Sequence, residues 1–252
     1  MRLRFLLVLA SLGAVTLLSA CAQLSPIAPE PTHSGLGTPK KDGGKFLARH
    51  QSFLRRAQEG PVDLLFIGDS ITEGWASKAP VLWQQQYGAH RPANFGIGGD
   101  RVEHVLWRLD NGELDGIAPK VIVLLIGTNN SASQSGAQIA ASIRQIVELI
   151  TRKRPQSRIL LLGIFPRGPR RDASGRMDDA VQRLQTIRET NTELAHLDDG
   201  QRIRYLDIGP RFLRDGQIPP ELMPDQLHPS LAGYRIWAEA MQPLLDEMLD
   251  RQ

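Results

Sequence analysis

The sequence predicts an α/β domain built on a doubly wound, five-stranded parallel sheet flanked by helices. Three observations point there. Short apolar runs recur along the chain at residues 63–68, 93–95, 121–126, 158–163 and 203–207. The longest, Val121-Ile122-Val123-Leu124-Leu125-Ile126 and Ile159-Leu160-Leu161-Leu162, are apolar without alternation, as strands covered on both faces must be. Between the runs lie longer stretches whose apolar residues recur at three- and four-residue steps, the period of a helix. Strand, helix and strand in repetition give parallel strands joined by crossovers. Such sheets carry their reactive groups on loops leaving the carboxyl ends of strands.

Composition sets the outer bounds. The chain has 252 residues, 41% hydrophobic and 23% charged, which excludes a disordered polymer, a collagen-like fibre and a polytopic membrane protein. The single cysteine excludes an intramolecular disulfide framework and a cysteine-cluster metal site. The formal charge of +3 includes Arg2 and Arg4, which lie in a segment read as removed. The remaining basic excess is too small to imply a nucleic-acid partner.

The first element is a targeting signal. Arg2 and Arg4 precede an apolar run at residues 5–18, too short for a spanning helix and suited to a secretory signal over residues 1–20. The string Leu18-Ser19-Ala20-Cys21 resembles the lipobox of bacterial lipoproteins. That resemblance implies that Cys21 becomes the first mature residue and carries a lipid, and Ala22 after it favours the outer membrane, on the periplasmic side. An ordinary signal peptide with an incidental cysteine is the alternative. Residues 21–44, rich in Pro, Gly, Ser and Thr and without apolar period, read as a flexible tether. The folded unit is then residues 45–252. Its strands are the five runs above. Its clearest helices are the stretch holding Ile139, Ile143, Ile146, Val147 and Ile150, then residues 177–197 and 231–249.

The loops after the strands carry the candidate chemistry. The first strand ends in Gly68-Asp69-Ser70-Ile71-Thr72-Glu73-Gly74. A serine at a strand-to-helix turn can expose its hydroxyl at the sheet edge, with its own N–H facing whatever the hydroxyl attacks; a helix cap is the plainer role. The second strand leads into Gly96-Ile97-Gly98-Gly99-Asp100. These glycines let backbone N–H groups approach a ligand, although a simple turn would use them too. Arg101 stands where a dinucleotide fingerprint needs glycine, and no phosphate-loop lysine is present. The third strand ends in Gly127-Thr128-Asn129-Asn130. An asparagine amide there can donate to a developing oxyanion or cap a helix. Asp225-Gln226-Leu227-His228-Pro229 precedes the last helix, where Asp225 can hold one imidazole nitrogen of His228 while the other takes a proton from a serine. His33 lies in the tether, and His50, His90, His104 and His196 read as surface or packing residues without such a partner.

Gly-Asp-Ser, Gly-Gly-Asp, Gly-Thr-Asn-Asn and Asp-x-x-His-Pro, in this order, resemble the four sequence blocks of the SGNH (GDSL) hydrolases over residues 62–234. The stretches 94–100, His104-Val105-Leu106-Trp107-Arg108-Leu109, Asn111-Gly112-Glu113-Leu114 and Pro166-Arg167-Gly168 are similar to the catalytic subunits of intracellular platelet-activating-factor acetylhydrolase. The nucleophile block departs from the usual Gly-Asp-Ser-Leu in having Ile71. The secretion signal is a second departure from those cytosolic relatives.

The resemblance implies the flavodoxin-like SGNH-hydrolase fold and a cofactor-free, metal-free serine esterase. Ser70 would be the nucleophile, His228 the general base and acid, and Asp225 its orienting carboxylate. The Ser70 and Gly99 N–H groups and the Asn129 amide would form the oxyanion hole. Ile71, Thr128 and Leu227 would line an acyl pocket, with a core role as the alternative for Ile71 and Leu227. Asp69, Asp100 and Arg101 would brace the loops. The expected substrate is a short-chain, acetyl-like ester. Alternatives are a carbohydrate O-acetylester, such as acetylated xylan, a long-chain lysophospholipid or thioester, and a non-catalytic scaffold lipoprotein. The expected partners are a small-molecule or glycan ester, the membrane through the anchor alone, and a second copy in a homodimer.

Overall fold

The computed structural model describes residues 37–171 and 175–250. The 1–20 signal, the Cys21 lipidation site and the tether up to residue 36 lie outside them.

The five apolar runs form one parallel sheet: β1 (Leu64–Gly68), β2 (Pro92–Gly96), β3 (Val121–Leu125), β4 (Arg158–Leu162) and β5 (Ile203–Leu206). Their order is β2-β1-β3-β4-β5. In register, Leu64 of β1 lies opposite Pro92 on one side and Val121 on the other. Val121 then lies opposite Arg158, and Ile159 opposite Ile203. The chain leaves β1 outward to β2 and returns past it to β3, so the direction of winding switches between β1 and β3. A cleft opens at the carboxyl ends of strands flanking such a switch.

Period-two alternation splits β1, β3 and β4 between two cores. Leu65, Ile67, Ile122, Leu124, Ile159 and Leu161 pack on one face against α1 (Lys45–Gln58), α5 (Val102–Arg108), α6 (Gly136–Lys153) and α7 (Ala180–Ala195). Leu64, Phe66, Val121, Val123, Leu125 and Leu160 pack on the other against α3 (Trp75–Lys78), α4 (Pro80–Tyr87) and α8 (Leu231–Asp250). The second face is aromatic: Phe66, Trp75, Tyr87 and Trp237 pack within 6.4 Å of one another's centroids wherever they pair. Burial of each such ring contributes about 2–3 kcal/mol.

The 139–150 periodicity matures into α6, whose start is fixed by Ser135 and Gln138 in a reciprocal capping box. The 177–197 stretch begins later, at Ala180, because Asp179 accepts from the Gln182 N–H at 2.9 Å and caps the helix there. No helix among the described residues is long and apolar enough to cross a membrane.

The tether boundary needs correction. The Thr38 N–H donates to the Glu103 carbonyl at 3.2 Å, Lys40 reaches the Gly98 carbonyl, and Asp42 accepts from the Phe46 N–H at 2.9 Å. Residues 37–44 are a strap bound to the domain rather than free linker. Its contacts come from backbone groups and polar side chains, so it leaves no apolar pattern.

Candidate active site

β1 delivers Ser70 into the first residue of a short helix, α2 (Ser70–Glu73). The cap is Asp69, whose Oδ1 accepts from the Ile71 N–H at 2.9 Å. Capping by its neighbour leaves the Ser70 hydroxyl available, and it meets His228 Nε2 at 2.9 Å. Residues 158 apart in sequence are thus in hydrogen-bond contact. His228 sits on the loop before α8. Its Nδ1 lies 2.6 Å from Asp225 Oδ2, and its backbone N–H donates to Asp225 Oδ1 at 2.7 Å. The two carboxylate oxygens therefore fix both the loop and the ring. Burial raises the Asp225 pKa, but the His228 hydrogen bonds and the charges of His228 and Arg170 outweigh it and hold the carboxyl below the usual range.

The glycine loop after β2 lies beside Ser70. A Cβ built on Gly98 would stand 3.9 Å from Ser70 Cβ and 2.9 Å from Glu73 Oε2, which accepts from the Gly98 N–H. Gly99 adopts φ +73°, a left-handed conformation that favours glycine. Asn129, after β3, donates to the Asp100 carbonyl at 2.8 Å and faces Asp69 Oδ2 at 3.5 Å. Its neighbour Asn130 takes the plainer role, since its Oδ1 accepts from the Val102 N–H at the start of α5.

The loops rest on buried charge. Arg108 is fully buried and donates to Asp100 Oδ2 at 2.9 Å, to Glu113, and to the carbonyls of Phe95 and Gly68 at 3.1 and 3.3 Å. One guanidinium ties the ends of β1 and β2 together. Glu113 also meets His50 Nδ1 at 2.9 Å, so His50 does have a carboxylate partner, contrary to the sequence expectation. That pair is buried away from Ser70 beneath Trp107. Burial pushes Asp69 up to about 7, and Asp100 to about 6 against the opposing charges of Arg108 and Lys40.

Ile71 and Leu227 are buried with the aromatic core, at 1% and 3% exposure. Thr128 is buried too, with its hydroxyl 3.4 Å from Arg167. The open cleft beside Ser70 and His228, about 430 Å³, is lined by these two residues together with Arg49, Glu73, Ser77, Lys78 and Tyr234. Residues 71, 128 and 227 do not line this cleft.

Sequence reasoning did not single out Lys40, Arg170 or the Arg49–Glu73 pair. Arg170 donates to Asp225 Oδ2 at 3.2 Å, and Arg49 lies 3.6 Å from Glu73. Arg108 and Glu113 were visible only inside the family-like stretches 104–109 and 111–114. A family model for the GDSL-like lipase/acylhydrolase family matches residues 66–236. The chain belongs to that family. This GDSL hydrolase is 34% identical over 220 residues to the platelet-activating factor acetylhydrolase IB subunit alpha1 of Bos taurus, covering 84% of the chain and 88% of the relative. Its fold is similar to a GDSL-like lipase from Bacteroides thetaiotaomicron (TM-score 0.62, 19% identity, 79% of this chain and 98% of that one). It is also similar to a carbohydrate acetylesterase family member from Sinorhizobium meliloti (TM-score 0.57, 17% identity, 74% and 98%).

Proposed function

We propose that this hydrolase is a serine esterase that cleaves short-chain, acetyl-like carboxylic esters through an acyl-enzyme. The observation that carries the reading is the relay from Ser70 Oγ to His228 Nε2 at 2.9 Å and from His228 Nδ1 to Asp225 at 2.6 Å. Ser70 Oγ attacks the ester carbonyl as His228 Nε2 takes its proton. Asp225 holds the ring and stabilises its cation. The oxyanion is met by the N–H groups of Ser70 and Gly99 and by the Asn129 amide, whose 3.5 Å contact to Asp69 is long enough to yield to it. Each such donor is worth about 3 kcal/mol in the transition state. Collapse expels the alcohol with the proton from His228. Water, activated by the same imidazole, then releases the acid.

The cleft beside Ser70 supports an ester with a polar alcohol, and the acetylhydrolase relatives support a short acyl group. Its lining mixes the polar Arg49, Glu73, Ser77 and Lys78 with Gly74, Ala76 and Tyr234, and the polar groups on its rim suit a polar alcohol portion. The same rim favours a second reading, a carbohydrate O-acetylesterase. The Leu18–Cys21 string supports attachment to the bacterial envelope, with the domain carried on the N-terminal lipid. Ser70→Ala is expected to lower turnover of p-nitrophenyl acetate and butyrate by at least 10³-fold with unchanged folding. Retained activity would remove Ser70 from the mechanism. In the wild-type protein, rates falling steeply from C2 to C16 esters support the short-chain reading. Acetate release from acetylated xylan favours the carbohydrate one.

A further inference from the structure

We propose that Lys40 is a positioning residue that aims the oxyanion-hole donor of Gly99; the inference rests on the esterase reading above. The Lys40 ammonium donates to the Gly98 carbonyl at 2.5 Å. That carbonyl and the Gly99 N–H are the two ends of one peptide unit, which is planar and trans, so they point in opposite directions. Gripping the oxygen from one side directs the N–H to the other. A positive charge on the oxygen also polarises the amide and strengthens its hydrogen as a donor.

The grip matters because of where it acts. Consecutive glycines at 98 and 99 leave the peptide between them free to rotate, since neither has a Cβ to restrict it. The peptide before it is held by Glu73, which accepts from the Gly98 N–H at 2.9 Å. Beyond Gly99, Asp100 is anchored by Arg108 through Oδ2. Its other oxygen, Oδ1, is buried without a hydrogen-bond partner and has Lys40 Nζ at 3.9 Å. Lys40 therefore spans the loop, touching the carbonyl before Gly99 and facing the carboxylate after it. A Cβ built on Gly99 would lie 3.3 Å from Nζ, which places the ammonium directly against the residue it orients.

The lysine is delivered by the strap. Gly37, at φ +71°, lies so close to α5 that a Cβ there would stand 2.2 Å from the Glu103 carbonyl. The Thr38 N–H bonds the same carbonyl, and Asp42, 3.7 Å from Nζ, ties the strap to the start of α1. The segment between the proposed anchor and the domain thus contributes to the catalytic loop.

The test compares Lys40→Met and Lys40→Arg with the wild-type full chain on p-nitrophenyl acetate. Rates are expressed per active site titrated with a fluorophosphonate, so that any misfolded fraction drops out. Methionine keeps the length and loses the donor; arginine keeps the charge and donors. K40M should lower kcat about tenfold to a hundredfold, less than outright loss of an oxyanion donor, with KM within about twofold. K40R should recover most of the rate. An unchanged kcat per titrated site in K40M, or a loss seen in KM alone, overturns the proposal. A wild-type protein that neither turns over the ester nor takes the label fails earlier, and the esterase reading falls instead.

Discussion

The two halves of the candidate active site are built differently. Ser70, Gly99 and Asn129 sit on loops braced by fully buried ionisable groups: Asp69, Asp100, Arg108 and Glu113. His228 and Asp225 sit on a loop whose side chains remain 34% and 41% exposed, held by hydrogen bonds between residues three apart. The difference follows from the work each half does. Oxyanion stabilisation depends on dipoles that do not reorganise during reaction, and burial among hydrogen-bonded neighbours supplies that rigidity. Proton transfer needs an imidazole that can gain charge and meet water for deacylation, which a partly solvated site permits.

If the halves differ in this way, the largest stability effect should come from the buried one. Arg108→Met would leave Asp100 and Glu113 without their shared cation and free the carbonyls of Gly68 and Phe95. Loss of one partner from a buried pair typically costs about 3–5 kcal/mol, measurable by urea unfolding. A cost below about 1 kcal/mol would mean that the network does not brace the loops.

A smaller and more diagnostic contrast lies in pH. Asp69 keeps its proton in the folded state up to about 7, whereas the unfolded chain releases it near 3.8. Between those values the folded state binds the extra proton, so stability is full below about pH 4 and falls as pH rises through 7. Asp225 shifts the opposite way, so its contribution is present above 3.8 and is lost only in more acidic solution. Asp69→Asn should therefore flatten the decline in unfolding free energy between pH 4 and 7, a change of a few kcal/mol at most. Asp225→Asn should leave that slope in place. The reverse pattern would invert the assignment of the two environments.

The sheet was legible in the sequence because buried parallel strands leave unbroken apolar runs, and the four reactive loops because each carries residues of unusual chemistry at a strand end. Other features escaped for physical reasons. Lys40 lies in a stretch of glycine and proline whose docking uses backbone hydrogen bonds, which no hydropathy pattern records. Arg108 reads as an ordinary helix charge until the fold closes over it. The short α3 and α4 have too few turns to show a period, yet Trp75 and Tyr87 on them fill the aromatic core. Ile71 and Leu227, expected at the pocket from adjacency and family resemblance with a core role as the alternative, are buried with the aromatic core.

The proposed mechanism requires that Ser70 become covalently acylated. Reaction of the wild-type protein with p-nitrophenyl acetate, quenched in acid during turnover and mapped by peptide mass, tests it directly. The account predicts one acetyl group, on the peptide that carries Ser70. An acetyl group on another residue, or steady hydrolysis with no acetylated peptide, would contradict it.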